Sequence, residues 1–409
     1  MCSPSATLTH RTMTEKARTV SDLTISQAIF ELSSPFLENK SQKALDTLFS
    51  AIRDHDLAPL YKYLSENPKT SASIDFDSNF LNSMIKKNEE KLAEFDKAIE
   101  DAQELNGEHE ILEAMKNKAD YYTNICDRER GVQLCDETFE RATLTGMKID
   151  VLFSKIRLAY VYADMRVVGQ LLEKLKPLIE KGGDWERKNR LKAYQGIYLM
   201  SIRNFSGAAD LLLDCMSTFS STELLPYYDV VRYAVISGAI SLDRVDVKTK
   251  IVDSPEVLAV LPQNESMSSL EACINSLYLC DYSGFFRTLA DVEVNHLKCD
   301  QFLVAHYRYY VREMRRRAYA QLLESYRALS IDSMAASFGV SVDYIDRDLA
   351  SFIPDNKLNC VIDRVNGVVF TNRPDEKNRQ YQEVVKQGDV LLNKLQKYQA
   401  TVMRGAFKV

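Results

Sequence analysis

Five residues in the last third of the chain, Cys273, Cys280, His296, Cys299 and His306, are of the types that bind zinc. A structural zinc site needs four such side chains converging tetrahedrally, and its usual sequence mark is ligand pairs two to four residues apart. The eight cysteines, at 2, 126, 135, 215, 273, 280, 299 and 360, contain no C-x-x-C pair. Cys273 and Cys280 are seven apart, which on a helix puts both on one face beside Ile274 and Leu277. Small thiols filling a helical core are therefore expected, with no metal and no other cofactor. With no secretory leader apparent, reduced thiols in a cytosolic or nuclear protein are expected too.

Other catalytic frames are absent. The sequence has no G-x-x-x-x-G-K-[ST] phosphate loop, no G-x-S-x-G elbow and no G-x-G-x-x-G. The one basic run is Arg312, Arg315, Arg316 and Arg317, with Glu313 and Glu324 close by. Lys plus Arg number 52 against 58 Asp plus Glu, a formal charge of −6, which is opposite to the footprint of a nucleic-acid binder. The arginines are expected to pair with acidic groups, and protein partners are favoured over nucleic acid. No enzymatic activity is expected.

The elements that carry these residues are helical. Only 14 Gly and 10 Pro occur in 409 residues, and alternating strand patterns are scarce before residue 357. Gly131, Gly169 and Gly207 are spaced by 38 and 38, and Gly284 lies 77 further on. Tyr122, Tyr160 and Tyr198 each precede a repeat glycine by nine residues, and Met115, Phe153 and Leu191 by sixteen. This periodicity predicts tetratricopeptide-like helical hairpins stacked in a right-handed solenoid, each glycine near the start of a second helix where two helices approach closely. Upstream, Leu45, Leu48, Phe49 and Ile52 mark helical spacing without the 38-residue register. The run "YAVISGAISL", 233 to 242, is too short to span a membrane and is expected to be a buried helix.

Near the end, "SIDSMAASFGVSVDYIDRDLASFI" reads as two short helices around Gly339-Val340, the second capped by Ser341 and stopped by Pro354. Ile345, Leu349 and Phe352 put one face of that second helix in the core, so Asp343, Asp346 and Asp348 are expected outside. "KLNCVIDRVNGVVFTN" then alternates on either side of Asn366-Gly367, the strongest short hairpin signal. Two helices and a hairpin make a winged helix. In the tail, Val384, Leu391 and Tyr398 are seven apart, with Gly388, Leu395 and Val402 four beyond each, an apolar stripe that calls for another helix against it.

A helical solenoid followed by a winged helix resembles the PCI-domain family, shared by subunits of the proteasome lid, the COP9 signalosome and a translation initiation factor. "CVIDRVNGVV" (360–369), "SIRNFSGAADLLLDC" (201–215), "DVVRYAVISGAISLDR" (229–244) and the terminal "RGAFKV" are similar to the PCI subunits of the 26S proteasome lid. The resemblance implies a non-catalytic scaffold in a hetero-oligomer of the cytoplasm and nucleus. It also implies as partners other PCI subunits, the deubiquitinating metalloprotease pair and the base ATPases. No H-x-H pair, which marks the zinc-dependent deubiquitinating subunit of that family, occurs here.

In such proteins winged helices line up side by side by strand addition. The resemblance thereby implies an interface at Asp343, Asp346, Asp348, Val361, Asp363, Asn366, Gly367 and Val369. It further implies that Val384, Leu391, Leu395, Tyr398 and Val402 enter a bundle of C-terminal helices, although the same stripe could instead fold back on the solenoid. The expected divisions are a flexible tail (1–20), an N-terminal helical segment (21–105), the solenoid (106–299), the winged-helix module (300–372) and a C-terminal amphipathic helix (373–409). A COP9 signalosome subunit, or a winged-helix nucleic-acid binder, are the competing readings.

Overall fold

The computed structural model describes residues 21–34, 41–68, 70, 76–104, 107–260, 267–355, 357–372 and 376–406. The tail at 1–20 lies outside these. Four helices come first: α1 (Asp22–Ser33), α2 (Ser41–His55), α3 (Ala58–Glu66) and α4 (Ser78–Glu104). Three helical hairpins follow: α5 (Glu108–Asn124) with α6 (Arg128–Arg141), α7 (Thr145–Val161) with α8 (Met165–Gly182), and α9 (Trp185–Ser201) with α10 (Phe205–Met216). The series continues through α11 (Tyr227–Ser241), the short α12 (Arg244–Val247) and α13 (Pro255–Val260), then α14 (Ser268–Leu279), α15 (Tyr282–Val292) and α16 (Tyr307–Ser325). The last part holds β1 (Ala328–Ser330), α17 (Ile331–Phe338), α18 (Val342–Phe352), β2 (Cys360–Asp363), β3 (Val368–Thr371) and the 31-residue α19 (Glu376–Ala406).

The chain forms two compact units, one ending at Tyr278 and taking in Arg287–Val311, the other made of Leu279–Phe286 and everything from Arg312 onward. In the first, Gly131, Gly169 and Gly207 each lie within the first two turns of the second helix of a hairpin. A side chain at Gly131 would press on Leu158 of the following hairpin, its Cβ 3.2 Å from that residue's Cδ2. At Gly169 it would collide with the phenol of Tyr198, and at Gly207 it would stand 3.1 Å from Leu199 Cδ1. The glycines thus admit side chains both from their own hairpin and from the next.

The turn inside each hairpin is closed by a residue no turn rule would choose. Cys126, Ala163, Arg203 and Cys280 sit at φ of 58°, 56°, 67° and 65°, the left-handed region that normally favours glycine. The next amide reaches back to the helix at Asp127 N to Tyr122 O (3.0 Å), Asp164 N to Ala159 O (2.9 Å) and Asn204 N to Leu199 O (2.8 Å). Asp127, Asn204 and Asp281 then cap the second helices, accepting from the amides of Arg130, Gly207 and Gly284.

The N-terminal helices belong to the same core. Ile25, Leu48, Ile52, Leu60 and Tyr61 are buried with Cys126, Leu158 and Val161. α1 is fastened by its backbone, with the amides of Asp22 and Leu23 donating to the carbonyls of Glu223 and Leu224 at 3.1 and 2.9 Å. Gln27 Nε2 donates to the Cys299 carbonyl at 2.6 Å. Asp300, fully buried, receives Arg232 at 2.8 Å and the Tyr233 hydroxyl at 2.6 Å, and its other oxygen accepts from the amides of Phe302 and Leu303.

In the second unit the sheet has the order β1-β3-β2, antiparallel throughout. Pairing runs from Cys360 with Thr371 to Asp363 with Val368, leaving a four-residue loop, 364–367. Of its residues only Gly367 is left-handed, at φ 63°. The expected two-residue Asn-Gly turn is thus replaced by a longer one, because Asp363 gathers the loop by accepting from the amides of Val365 and Asn366 and from Asn366 Nδ2. β1 completes the winged helix as a third strand, pairing Leu329 with Val369. Phe338 centres the core, its ring 4.8 Å from Tyr282, 5.0 Å from Phe286 and 4.9 Å from Tyr319.

Candidate protein-interaction surfaces

The residues with metal-binding chemistry are dispersed among structural duties. Cys273 is buried on α14, its thiol pushed up to about 12 by burial. Cys280 departs from the expected helix face, standing exposed in the left-handed turn after α14, where Gln321 Nε2 lies 3.1 Å from its sulfur. His306 donates from Nε2 to the Ser201 carbonyl at 2.8 Å and accepts from Arg203 at Nδ1. His296 Nε2 is 3.3 Å from the Ser269 hydroxyl. Among the described residues no three His, Cys, Asp or Glu side chains converge as a metal site.

The basic run is engaged with acids of its own unit. Glu313 is bonded by Arg316 at 2.7 Å and approached by Lys357 at 3.5 Å, and Arg315 pairs with Asp348 at 3.2 Å. The charge of arginine heads held this way is already met by carboxylates of the same unit.

The three aspartates of α18 do not act alike. Asp343 is exposed. Asp346 pairs with Arg364 at 2.9 Å, tying the helix to the hairpin loop. Asp348, expected outside, points inward instead, because the Tyr319 hydroxyl donates to it at 2.9 Å and Arg315 neutralises it. Burial and that carboxylate together drive the Tyr319 phenol far up, so it stays a donor.

On the hairpin, Val361 stands 51% exposed on β2, while Val369, expected at the interface, has no exposed surface and belongs to the unit's core. The reason is period two: Val369, on the centre strand, points to the buried side of the sheet, whereas Val361 and Phe370 form a cross-strand pair on the exposed side. Asp363 and Asn366 shape the loop, and these bonds from Asn366 hold the Asp363 carboxyl below the usual range. Among the described strands, β2 pairs only with β3, so its outer edge carries main-chain groups that no described strand meets.

α19 is exposed along all of its described side chains. Val384, Leu391, Leu395, Tyr398 and Val402 retain 66%, 60%, 57%, 70% and 51% of their surface. Among the described residues nothing covers the stripe. Tyr381, Val385 and Leu392 extend it and are exposed as well.

Sequence reasoning missed the sheet's third strand, too short to show alternation, and the left-handed turns, where Cys, Ala and Arg stand in place of glycine. It missed also that the first described helix would be wired to residues 223–224 and 299, for which no local signal exists.

Comparison with known proteins adds the family. The family model described as 26S proteasome subunit RPN7 matches residues 77–250, and that of the PCI domain matches 289–373. The C-terminal helix model of 26S proteasome regulatory subunit RPN7/PSMD6 matches 380–402. The chain is 44% identical over 376 residues to the 26S proteasome non-ATPase regulatory subunit 6 homolog of Arabidopsis thaliana, covering 92% of this chain and 95% of that protein. It is 42% identical over 396 residues to the 26S proteasome regulatory subunit RPN7 of Saccharomyces cerevisiae, covering 92% of each. To COP9 signalosome complex subunit 1 of Arabidopsis thaliana it is 24% identical over 202 residues, 49% of this chain and 45% of that protein.

Proposed function

The chain belongs to the RPN7/PSMD6 family of 26S proteasome regulatory subunits, and from that membership we propose that it is a non-catalytic scaffold of the proteasome lid, supporting ubiquitin-dependent degradation by holding other subunits in place. The observation that carries this reading is α19, a long helix whose apolar stripe is exposed from Tyr381 to Met403. A protein working alone rarely leaves a contiguous apolar band in water, and a helical band of this kind asks for helices of other chains.

The second contact is the winged helix. Its free β2 edge, with Val361 outward and Asp343 exposed on α18, suits strand addition by a neighbouring PCI subunit, where main-chain hydrogen bonds supply the affinity. Gly367, with open space around its Cα, leaves the loop tip accessible to a neighbour. Asp346, Asp348, Asp363 and the exposed Asn366 brace this surface through their hydrogen bonds and ion pairs, and Val369 belongs to the core of the unit. Neighbours of this kind would be the other PCI subunits of the lid, the deubiquitinating metalloprotease pair and the base ATPases, in the cytoplasm and nucleus. The distant similarity to a COP9 signalosome subunit, at half coverage, does not favour that complex.

Purification of the tagged chain under native conditions tests the proposal. Proteasome regulatory subunits and ATPases should co-purify in fixed proportion. Recovery of COP9 signalosome subunits in their place would overturn it.

A further inference from the structure

The stripe of α19 has a regular heptad. Tyr381, Gly388, Leu395 and Val402 occupy one row at intervals of seven, Val384, Leu391 and Tyr398 a second, and Val385 and Leu392 begin a third beside it, which turns polar at Gln399. Two complete rows with a third along the first part make the stripe wider than the two-row seam of a simple coiled pair, the pattern of a helix covered on more than one side. In the centre of the first row stands Gly388, around which an added Cβ would meet nothing within 4 Å. A glycine inside a helix costs about 1 kcal/mol relative to alanine, and among the described residues no contact offsets it. From Val390 to Met403 the helix also carries Lys394 and Lys397 and no acidic residue.

We propose that Gly388 is a seat. In the assembled complex a helix of another subunit lays a large apolar side chain directly on the α19 backbone at Gly388, and presents an acidic residue to Lys394, which flanks the row of Leu391. The absence of a side chain there leaves a hole one layer deep in the stripe, between Val384 and Leu391, and protein interiors do not tolerate such holes unfilled. A second copy of this chain is a poor occupant. In a parallel pair glycine would face glycine, leaving the hole empty, and Lys394 would face Gln399 with no acid to pair it. This inference rests on the reading that α19 docks on other subunits, and adds to it the position and chemistry of the closest contact.

The test uses the full chain and reconstitution with the remaining subunits of the regulatory particle, read on native gels. Gly388→Leu should lower incorporation at least tenfold, while Gly388→Ala, which raises helix propensity with little bulk, should lose much less. Both free variants should keep wild-type melting temperature and equal or greater helicity by circular dichroism. The charge reversal Lys394→Glu should weaken incorporation several-fold. Wild-type incorporation of Gly388→Leu overturns the seat, and wild-type incorporation of the charge reversal overturns the acidic partner. Self-association of the free chain that Gly388→Leu abolishes would assign the seat to a second copy and overturn the proposal. The docking of α19 itself stands or falls separately, on the variant Leu391→Asp with Leu395→Asp.

Discussion

The carboxylate of Asp150 accepts two hydrogen bonds from the guanidinium of Arg187, each 3.0 Å, across 37 residues of chain. Lys116 reaches the same carboxylate at 3.1 Å from 34 residues before it. One acid on α7 therefore ties the first helices of three successive hairpins. The interval recurs elsewhere: Ser154 donates to Asp120 (34 residues), the Tyr160 hydroxyl to the Tyr194 carbonyl (34) and the Tyr162 hydroxyl to the Cys126 carbonyl (36). A repeat that cannot bury its faces alone is here also stitched to its neighbours by polar bonds at one-repeat spacing.

Asp150→Asn should weaken the solenoid in a pH-dependent way. Burial pushes the Asp150 carboxyl up, but the Arg187 hydrogen bonds and the Lys116 charge outweigh it and leave the group below the usual carboxylate range. A depressed folded pKa gives stability that is full above the unfolded value of about 3.9 and is lost as pH falls through the lower folded value. With 22% of the side chain in water, the loss at pH 7 should be about 1 to 2 kcal/mol. Urea unfolding at pH 7 and pH 3 checks this, the gap between variant and wild type narrowing in acid.

The glycine positions make a second prediction, on packing alone. Gly207→Leu places bulk beside Leu199, and Gly169→Leu drives into the Tyr198 ring, whose Cζ would lie 2.8 Å from the new Cβ. Each should cost about 1 to 3 kcal/mol by overpacking, without any partner present. Unchanged thermal melts of the free subunit would remove the glycines from the role of packing positions.

The repeat was legible because its glycines and tyrosines keep register, and the winged helix because Ile331, Ile345, Leu349 and Phe352 state a helical period around a glycine that does adopt the left-handed turn, Gly339 at φ 65°. The turns within hairpins were not legible, since their strained positions hold Cys126, Ala163 and Arg203, which tertiary packing overrides into a conformation their side chains disfavour. The outward aspartate reading failed at Asp348 because that side chain has partners in a distant segment, Tyr319 and Arg315, which helical period alone does not reveal. The interface reading failed at Val369 because it overlooked that alternate residues of the centre strand face opposite sides, Val369 inward and Phe370 outward.

A third prediction concerns DNA. Arg315 and Arg316 are occupied by Asp348 and Glu313, and the exposed face of α18 begins with Asp343. Non-specific binding to duplex comes from releasing counterions by unpaired cations, so the full chain should show no measurable affinity for duplex DNA at physiological salt. A fluorescence anisotropy titration giving micromolar affinity would revive the nucleic-acid reading.

The last prediction separates assembly from folding at the end of the chain. Leu391 and Leu395 already stand 60% and 57% exposed on α19, so charging them removes no buried contact from the free subunit. Leu391→Asp with Leu395→Asp should leave its thermal melt within about 0.5 kcal/mol of wild type, as surface substitutions do. Docked against helices of other subunits, each leucine would bury apolar surface worth about 1.5 to 3 kcal/mol, and each new charge would add the cost of leaving water unpaired. Incorporation into the regulatory particle should therefore fall by at least about a hundredfold. Native-gel reconstitution read beside the melt distinguishes the two roles: a destabilised free subunit would mean that the stripe serves the fold of its own chain, and normal incorporation would mean that α19 is not where the subunit is held.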